Sequence, residues 1–132
     1  MTVSITGTWQ LVRTAAKGTD GTEMPPPYGG ERAMGRVVLN ADGRMMAVLI
    51  DGRPDLPDGV VREYTSYCGS YTFDGKQLIT RVDAASDPAR MGTDQVRDVH
   101  FEGELMVLQP PIRSYGGKDE QRILHWSKIA EM

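Results

Sequence analysis

The sequence predicts an all-β fold, most simply an antiparallel up-and-down barrel of about eight strands. Three observations carry this. Short β-type runs recur along the whole chain, Gly, Asp and Asn break them at hairpin spacing, and a helical period is nearly absent. The expected strands are Gly7 to Thr14, Met34 to Asn40, Arg44 to Ile50, Tyr67 to Phe73, Leu78 to Asp83, Gln95 to Phe101, Leu105 to Gln109 and Gln121 to Ile129. Three connections are tight: Asn40-Ala41-Asp42-Gly43, Phe73-Asp74-Gly75 and Glu102-Gly103-Glu104. Each puts a glycine where a hairpin turn needs positive φ. About eight strands closing on themselves leave an interior filled by side chains or just able to hold one small ligand. Val60 to Ser66 is too short to stand as a helix and reads as a loop turn. Met24-Pro25-Pro26-Pro27-Tyr28-Gly29-Gly30 reads as a rigid loop across one mouth, because proline fixes φ.

Length and composition bound the rest. The 132 residues suit one domain, residues 1–132, with a single core. The net charge is −3, and Lys and Arg form no stripe of the kind nucleic-acid binders show. No stretch approaches the roughly 20 apolar residues that cross a bilayer, and Met1 to Ile5 lacks a basic start. The single cysteine, Cys68, fits a reducing cytoplasm. No Cys/His spacing points to zinc. Asp51-Asp55 and Asp83 to Asp87 miss calcium-loop spacing and read as turn residues. No glycine loop in a strand–helix setting cradles a phosphate, so the reading is cofactor-free and metal-free. There is also no Gly-x-Ser-x-Gly elbow.

The order of several motifs adds information that none carries alone. These are Gly7-Thr8-Trp9-Gln10-Leu11-Val12, Pro27-Tyr28-Gly29, Asn40-Ala41-Asp42-Gly43-Arg44-Met45, Tyr67-Cys68-Gly69-Ser70-Tyr71, Gly92-Thr93-Asp94-Gln95-Val96-Arg97, Pro110-Pro111 and Leu124-His125-Trp126. Together they resemble the bacterial lipocalin-like domain family over almost the whole chain. The resemblance implies a small calycin-type barrel with a cavity for a small, mostly apolar molecule. It implies no particular reaction, since members are scattered among pathways of secondary metabolism and degradation. The chain departs from the family near Thr80 and Arg81, where a histidine is common, and near Arg90, where an aromatic is.

Strand parity names the inward side chains. Gln95, Arg97, Val99 and Phe101 share one face; Asp94, Val96, Asp98 and His100 share the other, which reads as wet. Arg97 then points inward. It either reaches water at the rim, pairs with Asp83, or anchors a polar or anionic ligand group. Tyr67, Gly69, Tyr71 and Phe73 share a face, with the glycine leaving space in an aromatic wall. Tyr28 is a lid candidate. Trp9 should plug the closed end, with Lys128 or Arg122 over its indole. His100 and His125 could act as bases, but neither shows a partner.

The run Arg44 to Ile50 is apolar on both faces: Met45, Ala47 and Leu49 on one, Met46, Val48 and Ile50 on the other. An exposed wall of that kind predicts a homodimer. The leading expectation is a small-molecule binder of an aromatic or terpenoid-like compound, with Tyr28, Met45, Tyr67, Tyr71, Gln95 and Arg97 around it. The rival is a cofactor-independent lyase, isomerase or cyclase acting on a carbonyl or epoxide. In it Tyr67, Tyr71 or Arg97 would steady an oxyanion while Asp83 or a histidine moved a proton.

Overall fold

The structure is a computed structural model that describes residues 4–111, 113–115 and 118–131. All eight expected runs are strands, most of them longer than expected. In chain order they are β1 (Gly7–Gly18), β2 (Glu23–Met24), β3 (Ala33–Leu39), β4 (Arg44–Asp51), β5 (Tyr64–Phe73), β6 (Gln77–Ala85), β7 (Asp94–Glu102), β8 (Leu105–Gln109), β9 (Arg113–Tyr115) and β10 (Lys118–Ala130). Antiparallel pairing runs β1-β3-β4-β5-β6-β7-β8-β10, and β1 pairs with β10 to close the ring. Eight strands form the barrel, while the short β2 and β9 hang on its margin. Among the described residues no helix is long and apolar enough to cross a membrane.

The hairpin glycines behave as their positions require: Gly43, Gly75 and Gly103 have φ of 88°, 97° and 61°. Tyr64 to Ser66, expected in a loop turn, instead open β5 opposite Ile50, Leu49 and Val48. Backbone pairing with β4 makes a strand there, which a search for side-chain period misses.

Alternation sets the inner face. Val37 and Leu39 of β3 and Met45, Ala47 and Leu49 of β4 are almost fully buried, while Met46 of β4 is 57% exposed. The outward set Met34, Met46, Val48 and Tyr64 leaves an apolar wall across β3, β4 and β5. Trp9 closes one end of the barrel, 2% exposed, its indole Nε1 donating to the Ile5 carbonyl at 2.9 Å. Lys128 Nζ lies 5.1 Å from the centre of the Trp9 ring, so of the two expected cations it is lysine that sits there.

Gly69 corrects the sequence reading of β5. Its missing side chain leaves no free space, because a Cβ there would collide with the Arg81 carbonyl of β6. The pairing of β5 with β6 shifts register between Cys68 and Gly69, and the bulge brings the two backbones together.

Candidate functional site

The open end of the barrel is crossed by the proline turn. Pro27–Arg32 folds as tight 3-10 turns with Tyr28 at φ 56° and Gly29 at φ 81°. A left-handed conformation is costly for a tyrosine, so its surroundings must hold it. They do. The Tyr28 amide donates to Glu63 Oε1 at 2.9 Å, and its hydroxyl donates to Thr65 Oγ1 at 3.0 Å. Thr14 donates to the Pro27 carbonyl, and the Arg122 guanidinium lies 5.7 Å from the ring centre. Gly29 is required because a Cβ would strike the Asp51 carboxylate. Asp51, read from sequence as a turn residue, is the buried last residue of β4 and pairs with Arg53 at 2.6 Å. That pairing holds the Asp51 carboxyl below its usual range.

Beneath this lid the core leaves a hollow lined by Tyr28, Val37, Ala47, Leu49, Thr65, Tyr67, Leu108, Leu124 and Trp126, with Arg90, Arg97 and Arg122 as its charged members. It spans about 520 Å³ counted with its open mouth, of which only about 50 Å³ admits the centre of a water molecule. That suffices for a few waters or a small ligand fragment. An aromatic or terpenoid-sized molecule needs the side chains at the mouth to swing aside.

The three arginines differ. Arg122, on the inner face of β10 with Leu124 and Trp126, bridges Glu63 at 2.7 Å and Glu120 at 3.0 Å. Arg90 and Arg97 meet no carboxylate among the described residues. Both donate to the single neutral oxygen Gln95 Oε1, at 3.1 and 3.0 Å, and Arg97 also reaches the Val96 carbonyl at 2.9 Å. The Gln95 amide in turn donates to Thr93 Oγ1 at 3.2 Å. Arg90 and Arg97 line both the hollow and a groove outside it, so they stand between the two.

The structure sorts the sequence candidates. Tyr28, Tyr67 and Arg97 line the hollow, and Gln95 orients the arginines from behind. Tyr67 also stacks under Arg90, 5.9 Å from ring centre to guanidinium. Met45 is buried in the core away from the hollow. Tyr71 shares the Tyr67 face but spends its hydroxyl on the Asn40 carbonyl at 2.7 Å, near the first hairpin. Burial pushes both the Tyr28 and Tyr71 phenols above their usual pKa, so at neutral pH each is a donor and not a base.

Asp83 is outside the barrel. Leu78, Thr80 and Val82 fill the inner face of β6, so Asp83 points outward, forms an ion pair with Arg44 at 2.5 Å and takes a bond from Cys68 Sγ at 3.6 Å. It pairs with neither Arg97 nor a ligand in the hollow. His100 is exposed and bonds Glu102 at 3.0 Å. His125 lies on the outer side of β10, 3.5 Å from Glu102, and burial pushes its pKa below 6.5. Glu63 and Glu120 are both committed to Arg122, and the buried Asp51 to Arg53. Among the described residues no cluster of three or more His, Cys, Asp or Glu side chains is arranged to hold a metal.

Sequence reasoning missed Arg90, Glu63 and the role of Arg122. The inward parity of Leu124 and Trp126 would have placed Arg122 and Glu120 inside. Arg90, in a loop, has no period to betray it.

A family model described as a lipocalin-like domain matches residues 6–129. No curated protein and no solved structure matches the chain.

Proposed function

The chain belongs to the lipocalin-like domain family, and from that premise we propose that it binds a small, mostly apolar molecule carrying an anionic group inside the barrel. The observation that carries this is the pair Arg90 and Arg97, converging on one neutral acceptor at the edge of an apolar hollow. Both side chains are half-buried, and two guanidinium groups sharing one neutral acceptor keep further N–H donors available to an anion. A carboxylate accepts two parallel bonds from an arginine and would complete the site. The rest of the ligand would lie against Leu49, Leu124 and the rings of Tyr28 and Tyr67. Binding of this type is favoured over catalysis because the described residues lining the hollow include no carboxylate, Glu63 and Glu120 are paired with Arg122, and Asp83 and both histidines lie on the outer side.

Calorimetric titration with pentanoate and benzoate tests the reading. Arg97→Met is expected to weaken both about ten- to a hundredfold, the range of charged hydrogen bonds. Undiminished affinity would overturn the role of Arg97. The groove outside Arg90 and Arg97 is the expected way in, and the two side chains meet the ligand first.

The same reading includes a second copy of the chain over the outer wall. Met34, Met46, Val48 and Tyr64 are 39–57% exposed there, and a sheet face of this kind can pair with itself about a twofold axis. Sedimentation should give twice the chain mass, reduced to one by Met46→Glu. A monomer in the unsubstituted protein at micromolar concentration would remove this part.

A further inference from the structure

Among the described residues lining the hollow, one fully buried side-chain polar atom has no partner. Trp126, 1% exposed, lines the hollow beside Leu124, and its indole Nε1 is buried with no hydrogen-bond partner. An orphaned buried donor costs about 1–3 kcal/mol, which is why native proteins keep few of them. Bulk water does not reach this N–H, and the hollow is the cavity that Trp126 lines, so a group held there is the partner that can complete it.

We infer that the ligand carries a second polar group, a neutral acceptor such as a ketone or ester carbonyl, at the end away from its anion, and that Trp126 Nε1 donates to it. The inference rests on the binding reading above and narrows it from small acids to small oxo acids and half-esters of dicarboxylic acids, which keep one carboxylate. The arginines fix one end at the mouth, the indole fixes the other within, and Leu49, Leu124 and Tyr67 contact the carbon chain between. The small free volume limits that chain to a few atoms. A site built to donate a hydrogen bond discriminates against an analogue that lacks the acceptor, because the donor is then left unpaired.

Two probes of nearly equal size separate the contributions: pentanoate has only the anion, and 4-oxopentanoate has the anion and a carbonyl. The expected result is about tenfold tighter binding of 4-oxopentanoate, the ratio one hydrogen bond supplies. In a ¹⁵N correlation spectrum the chain's two tryptophans give two indole signals. The Trp126 signal should move downfield with 4-oxopentanoate more than with pentanoate, while the Trp9 signal stays as an internal reference. Trp126→Phe should abolish the preference for 4-oxopentanoate over pentanoate, read as the ratio of the two affinities within the same variant. Equal affinities in the unsubstituted protein, with Arg97→Met still weakening both, would overturn the second anchor and leave the anion site standing. Failure of both acids to bind would overturn the binding reading and this inference with it.

Discussion

The barrel encloses two tryptophans, and the two are finished differently. At the closed end Trp9 has its N–H on the Ile5 carbonyl and a lysine over its ring. Trp126 on β10, opposite Leu11, is as deeply buried, yet its N–H is unpaired and it lines the hollow that Arg90 and Arg97 edge. The same residue type thus occupies a completed environment and an incomplete one. Ordinary packing rules account for the first. The second is stable only because the barrel around it carries the cost, and such local deficits concentrate at functional sites.

Substitutions can break or sharpen this contrast. The largest effect is expected from Arg122→Met, which strands Glu63 and the buried Glu120. Chemical denaturation should show a loss of about 3–5 kcal/mol, as when one partner of a buried ion pair is removed. Arg97→Met, in the incomplete part of the site, should cost under about 1 kcal/mol by the same measurement. Equal losses would erase the distinction between a structural and an available arginine. Next comes Trp9→Phe, which orphans the Ile5 carbonyl and leaves a void, for about 2–3 kcal/mol. Trp126→Phe should cost about 1 kcal/mol or less, since deleting an unpaired donor offsets part of the lost packing. If both tryptophan variants lost the same stability, the two indole environments would not differ as described.

The smallest effect is one of pH. The folded-state pKa of His125 is pushed below 6.5 by burial, so the folded protein binds its proton less readily than the unfolded chain. Stability from this group is present above pH 6.5 and is lost as the pH falls toward the folded value. Thermal melts across that window should show a shallower decline for His125→Gln than for the unsubstituted protein.

Much of the architecture was legible because alternation and turn residues are local. Every expected run became a strand, and parity placed Gln95 and Arg97 inward. The same rule, applied to Leu78, Thr80 and Val82, would have turned Asp83 outward; its acidity suggested a partner for Arg97 that geometry denies. Tyr71 was placed on the right face, but its hydroxyl goes to a carbonyl 31 residues away, which no period encodes. Arg90 reaches the hollow, and Glu63 reaches Tyr28 and Arg122, from segments without regular alternation, so only folding brings them there. The unpaired state of Trp126 belongs to the assembled core and to no short stretch of sequence.

The backbone contact at Gly69 has a wider implication. Because the Arg81 carbonyl occupies the position of a side chain, the circumference of the ring is fixed by the absence of one carbon atom. Alanine there would prise β5 from β6 and turn a seamless wall into two free margins, each a template for intermolecular strand addition. In a saturation library selected for soluble expression, the lining of the hollow should therefore vary broadly while position 69 tolerates glycine alone, with the losers recovered as fibrous or amorphous precipitate.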